Sequence, residues 1–267
     1  MLSFRTRLDR AVASAGAPLC VGLDPDPARL PAGFDASPAS IEAFCVSITD
    51  VTCEWAAAFK PNLAFFEALG AGGADALAAV CAHVRSTGRL LVLDGKRGDI
   101  GNTGTRYATA LYEQLDGDAA TVAPYMGADS VTPFLAHAGR CAFVLVATSN
   151  AGGADFQRLL VDGEPLAHHV ARRALAWARD TPGEVGFVVG ATRPEALGTI
   201  RALAPDVPFL VPGVGAQGGS VVATLAANAG GPLLVSASRS VLYASSGPDF
   251  AQAAAQAAAR LAAELRG

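Results

Sequence analysis

"RLLVLDGKRGDIGNT", Arg89–Thr103, runs four apolar residues, Leu90–Leu93, straight into Asp94, Lys96, Arg97 and Asp99. The apolar part has strand length, and it does not alternate with polar residues, as expected of a parallel strand covered on both faces. Charges at the end of such a strand are either a solvated turn or a reaction site. Seven more runs of the same kind decide what surrounds it: "LCVGLD" from Leu19, "AAFKPN" from Ala57, "ATVAPY" from Ala120, "AFVLVATS" from Ala142, "EVGFVVGA" from Glu184, "PFLVPGVG" from Pro208 and "PLLVSASR" from Pro232. Helical stretches such as "SIEAFCVSITDVTCEWAAA" and "PLAHHVARRALAWARD" separate them. Alternating β and α elements call for right-handed crossovers and a parallel sheet. Eight units in 267 residues fit a (β/α)8 barrel better than an open sheet. No Gly/Ser linker or break in composition divides the chain, so residues 1–267 are expected to form one catalytic barrel domain.

Composition narrows the class. The chain is 51% hydrophobic and 16% charged, enough apolar material for a large core. A net charge of -4 gives no electrostatic reason to expect nucleic acid. Cys20, Cys45, Cys53, Cys81 and Cys141 lie far apart with no CxxC pair, which reads as reduced thiols in a cytoplasmic protein. No window approaches the ~18 consecutive apolar residues of a membrane helix. The Arg-rich start lacks a continuous apolar segment, and Phe4, Leu8 and Val12 recur at helical spacing, so a short N-terminal helix packed on the body is expected.

Active sites of barrels sit at the carboxyl ends of the strands, and polar residues cluster there. Asp24 ends the first strand, Lys60 the second, Asp94 and Lys96 the third, and Thr148 and Ser149 the fifth; Gln217 follows the seventh and Arg239 the eighth. Asp94 and Lys96, two apart, are expected on one face of an extended strand. With Lys60 on the neighbouring strand and Asp99 beyond, they make an alternating Lys–Asp–Lys–Asp array whose members hold one another charged. An ion-pair network that only closes the barrel mouth is the competing reading.

At this point the residues resemble a family. "DGKRGDIGNT" is similar to the Asp-x-Lys-x-x-Asp-Ile-x-Asn-Thr motif of the orotidine 5'-phosphate decarboxylases, and "GLDPDP", "AFKPNLAFFE", "VPGVGAQGG" and "SASRSVLYAS" resemble that family in its order. The "AFKPN" and "SASR" forms look like its longer bacterial branch. The resemblance implies a cofactor-free, metal-free barrel that converts orotidine monophosphate to UMP in pyrimidine biosynthesis. It implies that Lys96 protonates pyrimidine C6, that Asp94 and Asp99 flank the departing carboxylate, and that Lys60 completes the array. It further implies a homodimer in which Asp99 and Thr103 reach the partner's site. Asp24 with Thr103 would hold the ribose hydroxyls, and Thr148 the pyrimidine edge. The phosphate end has independent support, because barrels often bind phosphate with the loops after strands seven and eight. Those loops supply Gln217, Ser238 and Arg239; Ser238 stands where many members have glycine, a change that a backbone N–H contact survives.

Rival readings use the same residues. "GVGAQG" satisfies G-x-G-x-x-G, with Arg239 about twenty residues on, but such a fingerprint normally opens its domain and here it falls in the seventh unit. Ketogulonate-phosphate decarboxylases and hexulose-phosphate synthases share an acidic-x-Lys motif and use a divalent metal, but the Ile-x-Asn-Thr continuation and the "AFKPN" lysine favour the nucleotide decarboxylase. A catalytically dead nucleotide-binding barrel would be expected to lose a charged member of the array, and none is missing. His168 and His169, adjacent on a helix, point about 100° apart and make a poor chelate. His83, His137, Trp55 and Trp177 read as helical packing or solvated residues. Arg193 precedes Pro194 at a helix start, with a substrate role open. The loop "NAGGADFQRLLVDGE", 150–164, is long for a βα connection and reads as a lid or an interface.

Overall fold

The computed structural model describes residues 2–214 and 218–266. Eight parallel strands close into a barrel: β1 (Leu19–Leu23), β2 (Ala58–Pro61), β3 (Leu90–Arg97), β4 (Ala119–Val122), β5 (Cys141–Ala147), β6 (Glu184–Val189), β7 (Phe209–Pro212) and β8 (Leu233–Ala237). Each pairs with the next in chain order and β8 pairs back onto β1, so the barrel has no open strand edge. All eight expected runs are strands, and helices fill the connections.

Both faces of each strand are buried, in two clusters. On β3, Leu91 and Leu93 point out and pack with Phe66, Val80 and Val84 under the helices. Leu90 and Val92 point in, beside Ala58, Ala119, Phe143, Val188 and Leu234. Side chains alternate with period two along a strand, so the next inward position on β3 is Asp94. A carboxylate therefore caps a column of aliphatic side chains.

The lower end of the barrel is plugged by α1 (Phe4–Ala15), whose N-cap Ser3 accepts from the Thr6 N–H. Phe4 and Leu8, one helical turn apart, are buried in the inner cluster, and Phe4 meets Phe143 edge-on at 5.8 Å. The Glu184 carboxylate accepts the Phe4 and Arg5 N–H groups at the start of α1, where a negative charge is favoured. Near the same end lies Asp118, fully buried, accepting from Leu91 N at 2.8 Å, from Arg85 Nη1 at 2.8 Å and from Arg7.

Two small readings are corrected: Trp55 and His137 lie in turns just past helix ends, not within helices. The loop 150–164 holds a short antiparallel hairpin, Leu160–Val161 with Glu164–Pro165. Asp162 and Gly163 turn it at φ +52° and +80°, the left-handed pair that a two-residue Asp-Gly hairpin requires. Among the described residues, no helix is long and apolar enough to cross a membrane.

Candidate active site at the barrel mouth

A cavity of about 300 Å³ opens at the carboxyl ends of the strands, lined among others by Asp24, Lys60, Asp94, Lys96, Thr148 and Arg239. Asp94 is its centre. Oδ2 accepts from Lys60 Nζ at 2.7 Å, and Oδ1 accepts from Lys96 Nζ at 2.6 Å and from Thr121 Oγ1 at 2.9 Å. Burial alone would push the Asp94 carboxyl up, but the two ammonium groups outweigh it and hold the group well below the usual carboxylate range. Burial alone would pull Lys60 down; Asp94 and then Asp24 more than reverse this and hold it well above the usual lysine range. Both are therefore ionised at neutral pH. The two lysines differ in access: the Lys60 side chain is 6% exposed and the Lys96 side chain 52%. Three cations against two carboxylates leave the cavity positive, which suits an anionic ligand.

Asp94 and Lys96 do converge, but not through strand periodicity. Leu93 pairs with Ala120 and Arg97 with Val122, so four steps along β3 are matched by two along β4. Asp94, Gly95 and Lys96 thus bulge opposite Thr121 alone. Lys96 takes φ +45°, a left-handed conformation costing a non-glycine residue roughly 1–2 kcal/mol. Its N–H donates to Thr121 Oγ1 at 2.9 Å. Such bulges re-aim side chains next to active sites.

Asp24 enters from β1, with Oδ1 4.0 Å from Lys60 Nζ. That oxygen is buried and accepts no hydrogen bond from the described residues. The turn behind it is fixed by Tyr243, whose hydroxyl donates to Asp24 O at 2.8 Å and accepts the Asp26 N–H at 2.6 Å. Arg239 is exposed, with no carboxylate partner among the described residues. Ser238 sits against β1, where a side chain on Gly22 would collide with its Oγ at 1.9 Å. Gln217 lies outside the described residues.

Asp99 and Thr103 stand apart. Neither lines the cavity, and Asp99 Oδ1 accepts only a local bond, from Ile100 N at 2.8 Å. Thr103 lies exposed on the helix Gly101–Thr109. Within one chain the array is therefore Lys60–Asp94–Lys96, three members and not four. Arg97 turns away, pairing with Glu67 over the Tyr107 ring.

Thr148 borders the cavity, and its position is set by Gln157 from the long loop. Gln157 Oε1 accepts from Thr148 N at 2.8 Å, and its Nε2 donates to Thr148 Oγ1 at 2.9 Å. Behind this pair lies a second cavity of about 360 Å³ that includes Arg193, which pairs with Glu195 at 3.2 Å as a helix-start residue. Sequence reasoning missed Thr121, Gln157 and Asn62, the last of which lines the cavity beside Lys60. For Asn62 the "KPN" spacing, two past Lys60, was an available signal; Thr121 and Gln157 carried none. Among the described residues, no three His, Cys, Asp or Glu side chains form a metal-binding group.

A model of the orotidine 5'-phosphate decarboxylase / HUMPS family matches residues 17–257. The chain belongs to this family. Its relatives place it further: it is 46% identical over 266 residues to the orotidine 5'-phosphate decarboxylase of Delftia acidovorans, covering 96% of this chain and 95% of that one. It is 47% identical over 265 residues to that of Roseiflexus castenholzii, covering 97% and 96%. Among solved structures it is similar to the Leishmania donovani OMP decarboxylase, with a TM-score of 0.85 and 39% identity over 100% of both chains. The family is one of lyases on this closed barrel, a fold whose active sites sit at the carboxyl ends of the strands, and the charged cavity opens at that end.

Proposed function

We propose that this chain is a single catalytic barrel domain that decarboxylates orotidine 5'-phosphate to UMP, working as a cytoplasmic homodimer. The observation that carries the reading is one carboxylate, Asp94, shared by two lysines at a positive cavity, with Lys96 half-exposed toward it. In the reaction the bond between pyrimidine C6 and the carboxylate breaks, CO2 leaves, and its electron pair stays at C6. No carbonyl of the ring is placed to delocalise that pair. A fixed ammonium is suited to stabilise it, and the Lys96 Nζ proton then forms the new C6–H bond. Solvent returns a proton to Lys96.

The other residues take supporting parts. Lys60, held by Asp94 and Asp24, fixes the Asp94 carboxylate so that it faces the departing CO2. Arg239, with the Ser238 N–H and Gln217, takes the phosphate. The unsatisfied Asp24 Oδ1 accepts from a ribose hydroxyl, and Thr148 meets the pyrimidine edge. Asp99 and Thr103 serve the partner's cavity, a role favoured by their position outside their own. The five free cysteines support a reducing compartment.

The test is incubation of purified protein with orotidine monophosphate, with and without EDTA, following the loss of pyrimidine absorbance. Equal turnover in both is expected. No turnover in either would favour the metal-dependent sugar-phosphate barrels instead, and turnover lost only in EDTA would contradict the metal-free reaction. The dimer has its own test. Asp99→Asn and Lys96→Ala homodimers are each expected to be nearly inactive, while mixing with subunit exchange recovers up to about a quarter of wild-type activity. Half of random dimers are hybrid, and each hybrid has one site free of both changes. No recovery despite demonstrated exchange would return Asp99 to its own subunit.

A further inference from the structure

We infer that Thr121 is a positioning residue that sets where the Lys96 ammonium stands; the inference rests on the decarboxylase reading above. Thr121 is on β4, one inward position above Ala119, and its side chain is almost wholly buried. It is the one β4 residue opposite the two-residue excess of β3. Its hydroxyl touches two members of the array at once, at 2.9 Å each.

The direction of these bonds is dictated by chemistry. A backbone N–H only donates, so Thr121 Oγ1 accepts from Lys96 N. The hydroxyl proton is then free for Asp94, and an ionised carboxylate only accepts. The chain Lys96 N–H to Thr121 O–H to Asp94 Oδ1 therefore has one possible sense. Asp94 Oδ1 in turn accepts from the Lys96 ammonium, so one lysine is tied to the same carboxylate oxygen twice, directly by its side chain and through the Thr121 hydroxyl by its backbone.

That closed ring accounts for the strained backbone of Lys96. Left-handed φ at a lysine persists only where surroundings over-determine it, and the Thr121 acceptor is the group that bonds its amide. As a β-branched residue in a strand, Thr121 has restricted χ1 freedom, so the anchor is itself rigid. Without the hydroxyl, the Lys96 amide loses its acceptor and residue 96 is free to relax toward the extended conformation of β3. The ammonium would move with it, and a displacement near 1 Å can cost about a hundredfold in rate.

Thr121→Val keeps the shape and the strand preference and removes only the hydroxyl; Thr121→Ser keeps the hydroxyl. With Thr121→Val, kcat for orotidine monophosphate is expected to fall about 10- to 100-fold while UMP affinity stays within about threefold. Thr121→Ser should recover kcat to within about threefold of wild type. Thr121→Ala serves as the second hydroxyl-free variant should the valine fail to fold. A hydroxyl-free variant with wild-type kcat, in a preparation whose wild type decarboxylates, overturns the positioning role alone, and so does a Thr121→Val loss that Thr121→Ser does not recover. A wild type without turnover overturns the decarboxylase reading, and this inference with it.

Discussion

Asp94 and Asp118 are both buried aspartates held by cations, one toward each end of the barrel. Asp118, fully shielded, meets Arg85, Arg7 and, at 3.7 Å, Arg140, with a backbone N–H from Leu91 completing its shell. Those arginines are themselves consumed: Arg7 donates to Gly139 O, Arg140 to Gly117 O at 2.9 Å, and Arg85 and Arg140 both pair with Asp116. Asp94 has two lysines, and its side chain is 10% exposed at a cavity. An arginine fork suits fixed, multidentate pairing; a lysine is a compact point charge that can give up a proton. The lower cluster surrounds its carboxylates with arginines and ties α1, the helix Ala71–Ser86, β3 and β4 together. The upper one keeps a lysine ammonium half-exposed at an open cavity.

The largest separation should come from the matched pair Asp94→Asn and Asp118→Asn. Asp94→Asn is expected to lower kcat about a hundred- to a thousandfold, the scale on which transition-state electrostatic groups act. Asp118→Asn should leave kcat within about twofold but cost about 3 kcal/mol of stability, since it strands partly buried guanidinium groups. Steady-state kinetics with urea unfolding on both variants checks this. A large kcat loss in Asp118→Asn would erase the distinction.

Arg239→Ala sharpens the upper half of the comparison. Losing one charged hydrogen bond to phosphate should weaken UMP binding by ~1.5–3 kcal/mol, whereas Arg140→Ala, at the other end, should leave it unchanged. Calorimetric titration with UMP measures both, and unchanged affinity in Arg239→Ala would put the phosphate elsewhere.

How much of this was legible beforehand differs between the two ends. The eight apolar runs mark strands because a doubly covered parallel strand has no polar alternation to hide it, and Asp24, Lys60, Asp94 and Lys96 are conspicuous as charges at their ends. Asp118 could not be read in this manner. Its partners Arg7, Arg85 and Arg140 come from three distant segments, and nothing local marks them. Thr121 was equally silent, since its role depends on a register shift between β3 and β4 that neither strand encodes alone. Asp99, expected as the fourth member of the array, lies past the bulge and outside the cavity of its own chain.

The smallest effect is on stability against pH. The folded Asp94 pKa lies below its unfolded value of about 3.9. Its contribution is therefore present above that pH and lost only as pH falls through the folded value. Lys60 lies above its unfolded value of about 10.4, so its contribution is present below that pH and lost as pH rises through the folded one. The array's contribution to stability should be flat between about pH 4 and 10, and Asp94→Asn should lose the acid-side change. Unfolding free energies across that range test it; a step near neutrality that vanishes in Asp94→Asn would contradict the ionised array.

The central claim is that the half-exposed lysine of the upper cluster carries the chemistry. Its most direct measurement is kcat for orotidine monophosphate in Lys96→Ala, with folding checked by circular dichroism and binding by UMP titration. A folded, UMP-binding variant slowed at least about a thousandfold is the expected result. Turnover within tenfold of wild type would remove Lys96 from the reaction and leave the barrel mouth an ion-pair network like the one below it.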